Sequence, residues 1–323
     1  MDVVILSLLS PGTCSGERVP VLTCRDALRG AGATVTTVSA ESDDQIDAAF
    51  EGLTDEAAGS RAHASSDEAA GSRAHVSSEP APSQAPSQRR LVVAAATDGE
   101  LRAVLRRLVR RYAPPPSKRP EDLSADRTVY DLPPIGVLPL DAKTPPDLVV
   151  RLGLPATPEA VAAAVVAGDS RRLDLFRTDS GSVTLHGALI GGADKNGQAV
   201  AWYGKVEVDD VVLSDGSEPL VACAIANSNG YATIDDLPLV ATADPADGVI
   251  DVGIAVPVLK RGWLRRTLRV EVRRSRGRAV SVTPRDEVPY LDDGVAGTLG
   301  RKRSWWIERA AWAVYAGGTA PRA

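Results

Sequence analysis

The chain has 323 residues, 42 of them acidic and 37 basic, giving a formal net charge of −5. Hydrophobic residues make up 44% and charged residues 24%, so a sizeable core is within reach and wholesale disorder is excluded. The acidic balance excludes a chain that coats nucleic acid over its whole surface, and the length predicts roughly two domains.

Aromatic residues are scarce at 4%, so Val, Leu, Ile and Ala must do most of the packing. Cys14, Cys24 and Cys223 are too few and too scattered for a disulfide framework or a zinc site, which points to a reducing compartment. The apolar stretch Met1–Leu9 has no basic residue before it and stops at Pro11, so no signal peptide is expected. No run approaches the roughly 18 apolar residues that a membrane span needs. A cytoplasmic protein is the expectation.

Residues 2–9 read as a buried strand ended by Pro11-Gly12, and 17–30 as a helix stopped by Gly30-Ala31-Gly32. A strand is predicted at Ala33–Val38 and a short helix at 45–53. The pattern then collapses. Asp55–Ser66 reads DEAAGSRAHASS, and Asp67–Ser78 repeats it with Val76 in place of Ala64. Two copies without an apolar face do not make a solenoid, so 55–88 reads as a disordered insertion. It holds His63 and His75, which leaves His186 isolated and a histidine metal site without support.

Leu91–Ala95 is a buried strand, followed by Thr97-Asp98-Gly99 and a helix from about Glu100 to Tyr112. A Pro-rich stretch spans 113–134. Ile135–Leu140 reads as a strand and Pro158–Ala167 as a helix. Strands alternating with helices predict a doubly wound parallel sheet. From Arg172 the rhythm changes to short β-rich runs: Val206–Leu213, Leu220–Ala226, Val249–Val256, Leu268–Val272 and Ala279–Thr283. Ser214–Ser217 and Arg276-Gly277 read as hairpin turns between them. The predicted architecture is an α/β nucleotide-binding-like domain over 1–160 and an all-β sandwich over 161–323, the last residues packing back on the first domain.

In an open α/β sheet, ligands bind at the C-terminal ends of the parallel strands. The strand at 91–96 ends in Ala96-Thr97-Asp98-Gly99-Glu100 and runs straight into a helix, whose free N–H groups favour phosphate. A carboxylate there can hold Mg²⁺. A plain helix cap at Asp98, with Gly99 relieving the turn, explains the same residues.

Strand, near-GGDGT turn and helix together resemble the diacylglycerol kinase catalytic-domain family, which includes sphingosine and bacterial lipid kinases. Ile135–Leu140, Asp147 and Leu152-Gly153-Leu154-Pro155 are similar to its P-L-G-T-G-N-D-F-A-R-x-L-G stretch. Ala224–Tyr231 (AIANSNGY) is similar to its N-G-x-Y segment, and Ala243–Val252 to its A-x-P-x-D-G-L-L-D-V motif. The resemblance covers about residues 90–300. It implies ATP and Mg²⁺ in a cleft between the two domains, and phosphoryl transfer to a lipid hydroxyl such as that of diacylglycerol. Carried over by position, it implies catalytic roles for Asp98 and Asp293, nucleotide contacts for Thr97, Gly99, Lys143 and Asp147, and a metal role for Asp247.

The departures are specific. The family's paired glycines are Ala96 and Thr97, and its Thr is Glu100, which adds negative charge near an anionic ligand. Gly-Thr-Gly-Asn is replaced by Asp141–Pro146, without glycine and with two prolines that lack an N–H. At the C-terminal D-G-E, Asp293-Gly294 is kept, but the implied general base is Val295. These losses define the alternative, a pseudokinase that binds lipid or protein without transfer. Asp247-Gly248 and Asp293-Gly294 also read as ordinary β-turns.

Lys260–Arg278 carries nine Lys/Arg against one acid and includes Trp263; Arg301-Lys302-Arg303 precedes Trp305-Trp306. Basic residues beside Trp suit a peripheral anionic membrane surface, whereas a strand with Arg outward and Leu268, Val270 and Val272 inward accounts for the first run equally. No nucleic-acid motif accompanies the charge, so no nucleic-acid partner is expected; a homodimer is compatible with the sequence.

Overall fold

The computed structural model describes residues 1–9, 18–51, 53, 89–114, 117, 119–193, 197, 199–234, 236–261 and 266–317. The 55–88 insertion, Ser10-Pro11 and Trp263 lie outside the described residues. In chain order, the first half holds β1 (Asp2–Leu8), α1 (Val19–Gly30), β2 (Thr34–Ala40), α2 (Asp43–Ala49), β3 (Arg89–Ala95), α3 (Asp98–Tyr112), β4 (Pro134–Pro139), α4 (Asp147–Arg151) and α5 (Pro158–Ala167). The second half is all strand: β5 (Ser170–Thr178), β6 (Val183–Thr184), β7 (Gly187–Ile190), β8 (Gly192–Ala193), β9 (Ala199–Val200), β10 (Gly204–Val208), β11 (Val211–Asp215), β12 (Ala222–Ala226), β13 (Thr233–Ile234) and β14 (Leu237–Pro238). It continues through β15 (Ile250–Arg261), β16 (Arg266–Gly277), β17 (Ala279–Pro284), β18 (Val288–Asp292), β19 (Val295–Leu299) and β20 (Arg303–Tyr315).

Strands β2, β1, β3 and β4 pair parallel in that spatial order. Their apolar runs are continuous rather than alternating because helices cover both faces. Val3, Ile5, Val92 and Leu138 pack on one face with Val21, Leu28 and Val165 of α1 and α5. Val4, Leu6, Leu91 and Val93 pack on the other with Phe50 and with Leu101, Leu105 and Leu108 of α3. Each such side chain, fully buried, contributes about 1.5–3 kcal/mol relative to exposure. The doubly wound reading therefore holds. Helix α5 shows its ends in the sequence: the Thr157 side chain accepts the Ala160 N–H, Pro158 opens the first turn, and Gly168 closes it at φ +80°.

The parallel sheet does not stop at β4. Val314 of β20 pairs parallel with Ile135, and β20 also pairs antiparallel with β5 and β17. One ten-stranded sheet thus runs from β2 out to β11. A six-stranded antiparallel sheet, in the order β16-β15-β12-β7-β18-β19, packs over its antiparallel part. Phe176, Val206, Val280 and Trp305 of one layer meet Ile190, Ile225, Val252 and Ile254 of the other. The β-sandwich is present, and its second layer is an extension of the first half's own sheet.

Four local expectations are corrected. Val206–Leu213 is not one strand but the β10–β11 hairpin, turning at Asp209, which takes φ 48°. Ser214–Ser217 is not a hairpin turn, because the chain leaves β11 there for β12 in the other sheet. Arg276-Gly277 likewise passes from β16 in one sheet to β17 in the other; a Cβ on Gly277 would stand 2.6 Å from Val208 Cγ1. The two tryptophans near the C-terminus do not form a surface pair: Trp305 is fully buried in the sandwich core, and Trp306 donates its indole N–H to Glu308 at 3.1 Å. Among the described residues, no helix is long and apolar enough to cross a membrane.

Candidate active site

The C-terminal ends of β3 and β4 face the ends of β7, β12 and β18. At the end of β3 the chain turns through Ala96-Thr97 into α3. Thr97 is the N-cap, its hydroxyl accepting the Glu100 N–H at 3.3 Å. Glu100 turns back and accepts the Ala96 N–H at 2.7 Å. This reciprocal cap answers for the Glu that replaces the family's Thr: its charge is committed to the backbone. The N–H groups of Asp98 and Gly99 have no protein acceptor among the described residues.

Asp98 does not cap its own helix. Its Oδ1 accepts the Leu148 N–H at 3.2 Å, the first turn of α4, so one carboxylate joins the starts of two helices. Helix α4 was not visible in the sequence, because it has only five residues and its cap comes from 50 positions away. Asp98 is 9% exposed. Burial, opposed by the Leu148 N–H and assisted by the neighbouring Asp147 carboxylate, raises its pKa to about 6. Asp147 itself is exposed beside it.

The sandwich supplies the opposite wall. Ala226 of β12 pairs with Gly187 of β7, so one residue beyond that ladder Asn227 donates its N–H to the His186 carbonyl at 3.0 Å. The same register sets Ser228 Oγ 2.6 Å from His186 Nδ1. Tyr231 meets the imidazole edge-on at 4.8 Å. Both His186 and Ser228 are 3% exposed, and burial lowers the His186 pKa to about 4, so the ring is neutral at pH 7. Arg151 of α4 donates to the Asn229 carbonyl at 2.7 Å, tying the two walls together. His186 looked isolated in the sequence; only the β7–β12 register brings Ser228 and Tyr231 to it.

Asp293 and Gly294 form the two-residue turn of the β18–β19 hairpin, at φ 49° and 77°. The Asp293 carboxylate is turned inward rather than into the cleft. It accepts the N–H groups of Leu185 at 2.9 Å, His186 at 2.8 Å and Gly187 at 3.2 Å. Burial, then the adjacent Asp292 carboxylate, raises its pKa. Asp292 pairs with Arg102 of α3 at 3.2 Å and accepts the Thr184 hydroxyl at 2.7 Å. Val295, the first residue of β19, places Cγ2 2.6 Å from where a Cβ on Gly99 would stand.

The remaining expected residues are not gathered here. Asp247 forms an ion pair with Arg276 and accepts the Val249 N–H at 3.1 Å, which is turn chemistry. Its charged neighbours include Asp174 and Asp251, and it does not join the Asp98 cluster. Lys143 lies in the exposed stretch 141–144, where the Asp141 carboxylate accepts its N–H at 2.8 Å and the Thr144 hydroxyl at 2.7 Å. Among the described residues no group of three His, Cys, Asp or Glu side chains gathers to hold a metal. The exposed Asp147 carboxylate fits a Mg²⁺ that keeps its waters or shares phosphate oxygens, since such ions need only one or two carboxylates.

No family model matches the sequence, and no curated protein matches it. Solved structures do. A diacylglycerol kinase from Bacillus anthracis str. Sterne superposes with a TM-score of 0.57 at 11% identity, over 97% of this chain and 96% of that one. Two further structures from the same organism, assigned to the same kind of kinase, give TM-scores of 0.58 at 10% and 12% identity, each over 97% of this chain. Over nearly its whole length, then, the chain has the diacylglycerol kinase fold.

Proposed function

We propose that this protein is a lipid-kinase-like phosphotransferase that moves the terminal phosphoryl group of ATP to the hydroxyl of a lipid such as diacylglycerol. The observation that carries the reading is Asp98: a nearly buried carboxylate, raised to about 6, at the start of a long helix whose first two N–H groups meet no acceptor among the described residues. Perturbed carboxylates in clefts are candidate acid–base groups, and a pKa near the working pH suits proton transfer. The acceptor oxygen bonds to the γ-phosphorus as the bond to the β–γ bridging oxygen breaks, and Asp98 accepts the hydroxyl proton. The Asp98 and Gly99 N–H groups and the α3 dipole face the phosphate charge. Asp147, exposed beside Asp98, would hold Mg²⁺ together with the phosphates, and the ion would supply neutralisation of their charge. Asp293 then acts through the backbone it holds, fixing the 185–187 turn that carries His186.

One observation favours a second reading. Val295 fills the space that the missing Cβ of Gly99 leaves, where a glycine otherwise lets phosphate approach the backbone. A binding module without transfer fits that closure.

Calorimetry of Mg·ATP with wild type and Asp98→Ala, alongside mass spectrometry of a lipid panel incubated with both, separates the two. Phosphorylated lipid that disappears in Asp98→Ala supports the kinase. Absence of nucleotide binding at millimolar ATP overturns it and leaves the binding module.

A further inference from the structure

The far end of α3, roughly 18 Å along the helix from Asp98 by the rise per residue, carries a second candidate site. A cavity of about 760 Å³ lies between the last turns of α3, the 119–128 segment, the β5–β6 turn and β20. That size accommodates a small-molecule ligand, for which about 300–1,000 Å³ is usual. Three guanidinium groups line it, Arg110, Arg119 and Arg177, and no carboxylate does among the described residues. Val109, Leu123 and Trp306 supply an apolar wall.

The wall is fixed before any ligand arrives. Arg177 lies over the Trp306 ring at 5.7 Å and donates to the Thr128 hydroxyl. The Trp306 indole and Thr128 are both held by the fully buried Glu308. Arg177 Nε is buried behind this wall, so the guanidinium meets the cavity only through its outer edge. Arg110 is exposed on the α3 surface within reach of the Asp47 charge, and Arg119 donates to the carbonyls of Leu123 and Ser124. Three guanidinium groups on a lining without a carboxylate select phosphate or carboxylate, and the apolar wall beside them selects hydrocarbon.

We infer that this cavity binds an amphiphile with one phosphate or carboxylate head and a hydrocarbon chain. The site is independent of the proposed transfer reaction, since it shares no residue with the Asp98 cluster. Calorimetry would use a short-chain lysophosphatidic acid below its micelle concentration, the fatty acid and the monoacylglycerol of matching chain, and inorganic phosphate. At least one of the two charged lipids should bind, the tighter naming the head group. The monoacylglycerol and phosphate should each bind at least about tenfold more weakly, a factor worth one good charged contact. Arg110→Glu, its fold checked against wild type by circular dichroism and denaturation midpoint, should weaken the charged lipid by about tenfold or more, with Asp98→Ala leaving it unchanged. Equal binding of the monoacylglycerol, phosphate binding as tight as the lipid, or indifference to Arg110→Glu would each overturn the assignment. Loss in Asp98→Ala alone would place the lipid at the other end of α3 and overturn it too.

Discussion

Val295 Cγ2 stands 2.6 Å from the point that a Cβ on Gly99 would occupy, so the β18–β19 hairpin is seated on the first turn of α3. Arg102, one turn further along, reaches the Asp292 carbonyl at 2.5 Å and its carboxylate at 3.2 Å. The glycine is therefore required by packing between the two halves, whatever binds there. Gly99→Ala gains up to about 1 kcal/mol of helix propensity but meets a β-branched side chain, an overpacking that costs about 1–3 kcal/mol. The expected net effect in wild type is a loss of about 1 kcal/mol. In a Val295→Ala background the same change should be neutral or stabilising. Urea denaturation of the four proteins reads the coupling, and simple additivity would refute the contact.

Asp98 and His186 predict opposing pH dependences. Asp98 is raised to about 6 in the folded state, from about 3.9 unfolded, so the folded protein binds the extra proton between those values. Stability from this group therefore falls as pH rises through that window. His186 is lowered to about 4 from about 6.5, so the unfolded chain binds the extra proton and stability rises with pH. Each contribution is on the order of 2–3 kcal/mol, and over the shared window they largely cancel. Asp98→Asn should consequently be stabilised relative to wild type above pH 6, with the difference vanishing below pH 4. His186→Gln should gain relative to wild type as pH falls from about 6.5 to 4. Denaturation midpoints measured across pH decide both, and parallel curves for all three proteins would exclude the assigned environments.

The Ser228–His186 contact gives a local test. At 2.6 Å and nearly fully buried, the pair satisfies two groups that would otherwise lose water without compensation. Ser228→Ala strands His186 Nδ1 and should cost about 1–3 kcal/mol. Because the partner of the ring is gone, the His186 pKa should move as well, which NMR titration of its ring protons would follow. A stability within about 0.5 kcal/mol of wild type, with an unmoved titration, would mean the hydroxyl is not the group that holds the ring.

What the sequence revealed of this arrangement was its local part. The apolar runs at 2–9 and 91–95 gave the parallel sheet, and Thr157-Pro158 with Gly168 gave a helix nearly residue for residue, because their causes lie within a few positions. Asp98 stood out because it follows a strand and opens a helix. The rest depends on partners far along the chain. Asp98 caps α4 from 50 residues away, His186 meets Ser228 across 42, and Asp293 reaches back 106 to 108 residues to the 185–187 backbone. Asp247 carried a matching motif, but the β15–β16 register brought Arg276 to it, and that pairing has no local signature.

Asp293 separates a carboxylate that builds the site from one that reacts in it. Its two oxygens accept three backbone N–H groups, and its own N–H donates to the Gly187 carbonyl at 3.0 Å. It also occupies the left-handed region at φ 49°, which Asp and Asn tolerate better than other side chains. Asp293→Ala removes every acceptor and adds backbone strain, so it should destabilise by about 3 kcal/mol or more. Asp293→Asn keeps the turn and one acceptor but aims an amide donor at an N–H group, and should cost about 1–3 kcal/mol. Asp98→Asn, by contrast, should abolish transfer while raising stability above pH 6. Transfer assays and denaturation on the same preparations give the comparison. If Asp293→Asn kept full stability and lost all transfer, its carboxylate would have to act on substrate directly, and the structural role assigned to it would fail.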